Sequence, residues 1–348
     1  MNNPRFKSFF VFLILICLMS VFVNNVGAQE VTAGDPVVLA QTGDVISFTQ
    51  FVGEDIFLNG PFDAENIYFS IPPNWQMLPD SSITISATVV FNNNAPAGTE
   101  VVQSAAGSVR LFLNNNLIGL ISIDKAGDGV YQFQIPPEAF VTNARPDGLY
   151  QLRFLLESGW TCNFDENMSF IISTASNLIL PHDSVTPDTS LLNFPFPLYQ
   201  DSSLFISSAL IVIPDSPTSA ELQSAMTLAA GLGNISSGNL LLDINTVGRL
   251  TQEQIASNHL ILVGRAASVP FSNLIIFPIQ PQNGQFPNSG GNPDDGIIQM
   301  INSPWQEDKV VLAVSGNTDN GIIKAAQAVT TGSLRTNLFP NVAIVDSV

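Results

Sequence analysis

The chain has 348 residues, of which 29 are acidic and 11 are basic, so its formal net charge at pH 7 is −18. Such a surface repels the phosphates of nucleic acids and the headgroups of anionic lipids, and we therefore expect no nucleic-acid partner. Hydrophobic residues make up 45% of the chain and charged residues 11%, a balance that provides a packed core and argues against disorder.

The N-terminal segment predicts export. Arg5 and Lys7 precede an apolar run from Phe9 to Val23, and Val26-Gly27-Ala28 then supplies the small residues of a cleavage site. The run is shorter than the roughly 20 residues that span a bilayer, so we predict a signal peptide over residues 1–28, with an uncleaved anchor as the alternative. Cleavage leaves Cys162 as the one cysteine, and no internal disulfide can then form.

Residues 38–180 are predicted to form an antiparallel β-sandwich of the jelly-roll type. Ile83–Val89 alternates apolar with hydroxyl residues, which is the period of a half-buried strand. Val109–Leu113 and Leu117–Ile123 flank Asn114–Asn116, and because Asn tolerates a positive φ this stretch is predicted as a hairpin. Further strands are expected at Tyr131–Ile135, Tyr150–Leu156 and Ser169–Ile172. Short strands separated by turn residues are typical of a sandwich.

A linker is predicted at residues 181–203, where Asn193–Pro197 alternates prolines with phenylalanines. After this linker the spacing of the apolar residues changes. Residues 204–340 contain buried apolar runs, such as Ala209–Ile213, separated by helical patterns, such as Ala220–Leu232 with glycines at its end. Strands that alternate with helices predict a parallel α/β sheet of the flavodoxin-like or Rossmann-like class. Ile297–Ile301 is expected to be an edge strand of this sheet.

The stretch Val310–Val329 predicts a strand, a turn and a helix, the arrangement that binds phosphates in nucleotide enzymes. The run from Gly316 to Gly321 lacks the middle glycine of G-x-G-x-x-G, and Asp319 stands where a phosphate charge would lie. We expect instead that Thr318 or Asp319 caps the helix and that Gly321 permits close packing. The sequence therefore predicts no cofactor.

Catalytic and metal-binding patterns are weak. The two histidines, His182 and His259, fall in no G-x-S-x-G context and in no metal-spaced cluster, so we predict no catalytic residue and no metal site. Paired carboxylates at Asp165-Glu166 or Asp294-Asp295 leave glycoside hydrolysis open as an alternative, although adjacent residues point in different directions.

Carbohydrate binding is the chemistry that the aromatic residues favour. The apolar C–H faces of sugar rings stack on planar aromatic side chains, whose ordering costs little entropy. Trp75, Tyr131 and Trp160 of the β-rich part are the candidates, each of which has packing in the core as its alternative. Trp160 is favoured because it follows Ser158-Gly159 in a turn, and turns face solvent.

The order of these segments resembles the periplasmic B subunit of bacterial cellulose synthase, the cyclic di-GMP-binding regulatory protein family. The segments that carry the likeness are Ile67–Pro73, Ser108–Asn115, Tyr150–Phe154 with Cys162, Ser176–Leu180, Leu191–Pro197, His259–Gly264 and Val310–Val329. The family often has an Asn-Gly turn where this chain has Asn115-Asn116.

The resemblance implies a carbohydrate-binding jelly roll followed by a flavodoxin-like domain without flavin. In that family such pairs occur twice and end in a membrane anchor that docks on the catalytic subunit. This chain corresponds to one pair, so we expect a fragment, a shortened relative, or a protein retained by another partner. Cyclic di-GMP is sensed by the catalytic subunit of the family, and we expect no nucleotide site here.

Together these features predict an exported, non-catalytic accessory subunit of a membrane polysaccharide synthase. Its expected partners are a cellulose-type β-glucan chain and the membrane-embedded catalytic subunit, and its expected location is the periplasm or the extracytoplasmic face of the membrane. The alternatives are a secreted polysaccharide-acting hydrolase that uses Asp165 or Glu166, and a cell-surface structural protein without sugar affinity.

Overall fold

The computed structural model describes residues 44–93, 107–158, 166–287, 292–336 and 339–347. The predicted signal peptide, together with Trp160, Cys162 and Asp165, lies outside these residues. Within them, no helix combines the length and the apolar character needed to cross a bilayer.

The N-terminal part is built from short strands. In chain order its elements are β1 (Asp44–Ser47), α1 (Phe48–Phe51), β2 (Ile56–Asn59), β3 (Phe62–Phe69), β4 (Trp75–Met77), β5 (Ser82–Asn93), β6 (Gly107–Leu113), β7 (Asn116–Ile123), β8 (Gly127–Gln134), α2 (Glu138–Val141), β9 (Tyr150–Ser158), β10 (Glu166–Ile172), β11 (Asn177–Leu180) and β12 (His182–Ser184). One sheet has the order β1-β11-β5-β10-β2 with β8 paired to β5, and the other has the order β3-β9-β6-β7. All of these pairings are antiparallel, as predicted.

The two sheets enclose one apolar core, because alternate residues of each strand point inward. Phe170 and Ile85 from the first sheet and Phe154 and Leu111 from the second are fully buried in it. The predicted hairpin joins β6 to β7.

At that hairpin turn the backbone is left-handed. Asn114 and Asn115 have φ values of 49° and 63°, a conformation that Asn tolerates better than most residues. The side chain of Asn114 is buried, accepts a hydrogen bond from Gln151 N at 3.0 Å and donates one to Ala139 O at 3.2 Å. The prediction of a hairpin at Asn114–Asn116 is confirmed.

The C-terminal part is an α/β sheet. Its elements are β13 (Ser207–Ile213), α3 (Ser219–Ile235), β14 (Leu240–Thr246), α4 (Gln252–Ser257), β15 (His259–Arg265), β16 (Gly296–Asn302), β17 (Val310–Gly316), α5 (Asp319–Thr330) and β18 (Val342–Val345). The strand order is β14-β13-β15-β17-β16-β18, in which the first four strands are parallel and β16 is antiparallel to both of its neighbours. Helices α3 and α5 pack against each other on one face, while α4 and the segment 266–286 cover the other.

Two expectations about this sheet are wrong. The predicted edge strand Ile297–Ile301 lies inside the sheet, because β18 pairs with its outer side. The helix predicted to end at its glycines continues to Ile235, and the chain turns afterwards at Ser237 and Gly238, which both have positive φ. Gly231 instead permits helix contact, since a Cβ there would lie 2.2 Å from Thr330 Cγ2.

The segment predicted as a linker is packed against both parts. Strand β12 pairs with β4 of the sandwich. Leu191 and Leu198 are fully buried in the core of the α/β sheet, and Leu204 is buried in the core of the sandwich. These contacts connect the two cores through one continuous segment.

Candidate functional site

The strand–turn–helix segment is filled by atoms of the chain itself. Thr318 Oγ1 accepts a hydrogen bond from Gly321 N at 3.2 Å and donates one to Asp294 Oδ1 at 2.5 Å, so Thr318 is the N-cap of α5. That donation lowers the pKa of the Asp294 carboxyl below its usual value. A Cβ on Gly316 would lie 2.8 Å from the carbonyl carbon of Gly321, and one on Gly321 would lie 2.7 Å from Asp295 O. Both glycines therefore permit close backbone packing, which was predicted for Gly321 alone.

A second carboxylate occupies the crevice at the ends of β13 and β15, where the strand order reverses and where open α/β sheets bind ligands. Glu221 is only 1% exposed there. Its Oε2 accepts from Thr218 N at 2.8 Å, and its Oε1 accepts from Arg265 N at 3.1 Å and from Ser268 Oγ at 2.5 Å. Burial opposes ionisation of this carboxyl, but these hydrogen bonds outweigh it and lower its pKa. Glu221 thus takes the donors that an anionic ligand would use.

Neither histidine is arranged as a catalytic base. His182 Nδ1 donates to Leu180 O at 2.9 Å, and its ring stacks on Trp75 with the ring centroids 3.5 Å apart. His259 is buried, and its Nδ1 accepts from Val310 N at 3.1 Å. Burial, with a smaller contribution from the charge of Lys309, lowers the pKa of His259 to about 3. Within the described ranges, no group of three or more His, Cys, Asp or Glu side chains is placed to hold a metal ion.

The sequence-predicted aromatic residues lie apart. Tyr131 lies on β8 and packs partly against the sandwich core. Its hydroxyl lies over Gly129, because a Cβ on that glycine would be 2.5 Å from Tyr131 Oη. Trp75 lies on β4 with one ring face covered by His182 and with Phe205 edge-on at 5.4 Å. Trp160 lies outside the described residues, and so does Asp165 of the alternative carboxylate pair. Glu166 is part of β10.

Three depressions that share lining residues extend from the sandwich toward the α/β sheet. We call the first the β3 groove; its volume is 590 Å³, and it is lined by Phe51, Val52, Glu54, Asp55, Ile56, Phe57, Glu65, Asn66, Ile67, Tyr68 and Ser202. The middle depression, of 320 Å³, shares Phe51, Tyr68 and Ser202 with the groove. The third, the Trp75 cavity of 260 Å³, shares Gln200, Ser203, Phe205, Ile206 and Ser207 with the middle depression.

Three aromatic side chains form walls of the β3 groove. Phe57 is 59% exposed and Tyr68 is 40% exposed, whereas Phe51 is partly buried. The ring of Phe51 packs edge-on against Phe48 at 5.0 Å and lies 5.7 Å from Phe69, so its orientation is set by the core. An aromatic surface held in this way loses little entropy when a ligand stacks on it.

Polar neighbours fix the position of Tyr68. The Arg145 guanidinium lies over its ring at 4.9 Å, and Asp147 holds Arg145 by hydrogen bonds to its Nε and Nη2. Gln151 Nε2 donates to Tyr68 Oη at 3.3 Å and to Asn66 Oδ1 at 2.8 Å. These contacts leave Asn66 and Tyr68 side by side on the outer face of β3.

The groove is acidic. Glu54, Asp55 and Glu65 contribute carboxylates, and Asp55 Oδ1 accepts from Thr174 N at 2.8 Å. The residues that line the groove in the described part of the chain include no lysine or arginine. Such a lining offers hydrogen-bond acceptors to hydroxyl groups and repels anions.

The groove residues were missed by the sequence-based prediction, which concentrated on tryptophans. One signal was present. In Ile67-Tyr68-Phe69 the period of two puts Tyr68 on the face opposite two core residues, and both Ile67 and Phe69 are indeed buried. An aromatic residue at an outward position of a strand is a candidate for ligand contact.

Comparisons with known proteins identify one part of the chain. No curated protein has a sequence that matches it. Among solved structures it is similar to the CBM36-1 domain of a multidomain xylanase from the hindgut metagenome of Trinervitermes trinervoides, with 10% identity, a TM-score of 0.23, and coverage of 41% of this chain and 100% of that one. It is also similar to a family two carbohydrate esterase from Clostridium thermocellum in complex with cellohexaose, with 9% identity, a TM-score of 0.17, and coverage of 58% and 51%. TM-scores of this size do not establish a common fold.

The family comparison is specific to the α/β part. Residues 190–341 match the model described as cellulose synthase BcsB, first FD domain. The matched range begins next to Leu191, the first residue buried in the α/β core, and ends one residue before β18. The α/β part of this chain is therefore similar to the first FD domain of cellulose synthase BcsB, which supports the resemblance to that cellulose synthase subunit.

Proposed function

We propose that this protein is an exported, non-catalytic accessory subunit of a membrane cellulose synthase, and that it binds the nascent β-glucan chain in the β3 groove. The observation that carries the proposal is the pairing of aromatic walls with carboxylate acceptors in one groove of a chain whose α/β part is similar to a BcsB domain. Its partners are the glucan and the membrane-embedded catalytic subunit, which it meets on the periplasmic side.

The chemistry of the groove suits an uncharged polysaccharide. The C–H faces of glucose rings pack on Phe57 and Tyr68, and the ring hydroxyls donate to Glu54 and Glu65. An anionic polymer would bring its carboxylates near those of the groove. Two such charges about 4 Å apart repel by about 1 to 4 kcal/mol between the dielectric constants of bulk water and of a protein surface. The groove thus selects a neutral glucan over a polyuronate.

In this proposal the α/β sheet has a structural role and supports the sandwich. In this proposal residues 38–180 form the carbohydrate-binding domain, residues 181–203 connect it, and residues 204–340 form a flavodoxin-like domain that binds no cofactor. The parallel order β14-β13-β15-β17 supports the fold, and the position of Glu221 in the switch-point crevice supports the lack of a cofactor. Trp160 and Tyr131 remain predicted sugar contacts.

Substitution of Tyr68 by alanine tests the site. About 40% of the Tyr68 surface is exposed, which is about 80 Å² of a tyrosine's roughly 200 Å². A sugar ring that covers half of this area contributes about 1 kcal/mol at about 25 cal/mol per Å², so Tyr68→Ala is expected to weaken cellohexaose binding about fivefold. Tyr68→Phe keeps the stacking surface and is expected to stay within about twofold. Isothermal titration calorimetry measures both.

The matched control is Phe339→Ala, because Phe339 is 51% exposed but does not line the groove. We expect its affinity to equal that of the unmodified protein, and we expect an oligogalacturonate of equal length to give no heat. Loss of affinity in Phe339→Ala alone, or tight binding of the oligogalacturonate, would refute the proposal that the β3 groove binds a neutral glucan. New reducing ends released from cellohexaose would refute the non-catalytic role.

A further inference from the structure

The Trp75 cavity combines residues from both parts of the molecule. Trp75 and Asn74 come from the sandwich, whereas His259 comes from the start of β15 and Asp308 and Lys309 from the turn before β17. Its volume of 260 Å³ is near the lower limit of about 300 Å³ for small-molecule sites. It therefore has room for one sugar ring and not for a long chain.

One wall of the cavity supplies a hydrogen-bond donor. His259 Nδ1 accepts from Val310 N, so this nitrogen carries no proton and the proton of the neutral ring is on Nε2. His259 lines the cavity, and its depressed pKa keeps it neutral at pH 7. The Nε2–H group is then available to a hydroxyl oxygen.

Two further lining residues supply acceptors. Gln200 Oε1 and Asp308 Oδ1 are buried, and neither receives a hydrogen bond from the described residues. A buried acceptor without a donor carries a free-energy cost, which a small side-chain rotation toward a ligand hydroxyl would remove. Asp308 Oδ2 is 3.1 Å from Lys309 Nζ, so the charges of this pair compensate each other.

The remaining walls are apolar. Trp75, Phe205 and the consecutive prolines Pro72 and Pro73 line the cavity, and His182 stacks on one face of the indole and restricts its orientation. Apolar walls with a donor, two acceptors and a compensated charge pair match an uncharged polyhydroxyl ring better than an anion or a cation. The middle depression shares lining residues with this cavity and with the β3 groove, so the three lie next to one another.

We infer that the Trp75 cavity binds one terminal sugar ring of the glucan whose chain lies in the β3 groove. The inference rests on the proposed function and adds recognition of a chain end at the junction of the two parts. His259 Nε2 donates to a ring hydroxyl, Gln200 and Asp308 accept from others, and Trp75 packs against the C–H face.

Tryptophan fluorescence tests the inference directly. The chain has three tryptophans, so the variant Trp160→Phe/Trp305→Phe leaves Trp75 as the sole reporter. Addition of cellobiose is expected to change its emission saturably. In the same background Gln200→Leu is expected to weaken cellobiose about fivefold, the effect of about one net hydrogen bond, and Gln223→Leu on the exposed face of α3 is expected to leave it unchanged.

The outcomes separate the cavity from the groove. If cellohexaose binds with the expected loss in Tyr68→Ala while the Trp75 emission does not respond to cellobiose or cellohexaose, the cavity inference is wrong and the proposed function stands. If neither sugar produces heat or an emission change, both fail. Equal affinity of Gln200→Leu and Gln223→Leu for cellobiose also overturns the inference that the Trp75 cavity binds a sugar ring. Should Gln200→Leu melt at a lower temperature than its parent, Asp308→Leu, which removes the other proposed acceptor, replaces it; the same loss of affinity is expected, and an unchanged affinity overturns the inference that the cavity binds sugar.

Discussion

The buried carboxylate of Glu221 leads to the sharpest stability prediction. Its oxygens accept three hydrogen bonds, from Thr218 N, Arg265 N and Ser268 Oγ. These bonds connect the start of α3 to the end of β15. Replacement by alanine removes the acceptor and leaves the backbone N–H groups of Thr218 and Arg265 without their side-chain partner. We expect Glu221→Ala to destabilise the α/β part without changing the strand order.

The magnitude follows from the contacts. Hydrogen bonds to a charged group contribute about 1.5–3 kcal/mol each, and they are not additive when they share one acceptor. We therefore expect Glu221→Ala to lower the free energy of unfolding by about 3–5 kcal/mol. Glu221→Gln keeps the shape but turns an NH₂ group toward one of the backbone donors, and we expect a loss of about 1–2 kcal/mol. Glu253→Ala, an exposed first-turn residue of α4, should cost only about 0.3–1 kcal/mol.

Urea unfolding followed by far-UV circular dichroism measures these differences, and its pH dependence adds a second test. Because the pKa of Glu221 is below its usual value in the folded protein, its contribution is present above the unfolded pKa of about 4.3 and is lost as the pH falls through the folded pKa. The gap between the unmodified protein and Glu221→Gln should accordingly shrink below about pH 4. Equal stability of Glu221→Ala and the unmodified protein at pH 7 would show that the carboxylate does not hold the crevice together.

Three further substitutions address the same sheet. Gly316→Ala places a Cβ 2.8 Å from the Gly321 carbonyl carbon and should cost about 1–3 kcal/mol in urea unfolding; an unchanged midpoint would contradict the close packing of α5 on β17. Thr318→Ala removes the N-cap of α5 and should cost about 1 kcal/mol, most of which Thr318→Ser restores; a deficit shared equally by both variants would argue against capping. His259 has a pKa of about 3 in the folded protein and is therefore neutral there at pH 7. Between about pH 6.5 and 3 the unfolded chain binds one proton more than the folded chain at this residue. The free energy of unfolding therefore falls by up to about 1.4 kcal/mol per pH unit as the pH drops. His259→Asn keeps an acceptor for Val310 N and should reduce that slope; an identical slope would show that His259 does not titrate as inferred.

Local patterns predicted most of the elements correctly. The alternation in Ile83–Val89 appears as part of β5, and the Asn114–Asn116 turn joins β6 to β7. Of the two caps predicted for α5, Thr318 and Asp319, the structure has Thr318. These features depend on neighbours within a few residues, and for that reason the amino-acid order is enough to identify them.

Long-range pairing was not visible in the same way. Ile297–Ile301 has the short apolar pattern of an edge strand, yet β18 covers its outer side, and that pairing joins residues more than forty positions apart. A burial pattern reports how well a strand is covered and not which strand covers it. The internal position of β16 therefore required the tertiary structure.

By itself the sequence predicted an export signal, the order of a β-rich and an α/β part, and a helix cap at Thr318 or Asp319, and it carried the resemblance that the match over residues 190–341 supports. Only the tertiary structure decided that Phe51, Phe57 and Tyr68 share a groove and that Glu221 fills the crevice of the sheet. The physical reason is that periodicity and capping are short-range properties of the chain. A binding surface, in contrast, is formed by side chains from separate elements, and their meeting depends on how the whole core packs.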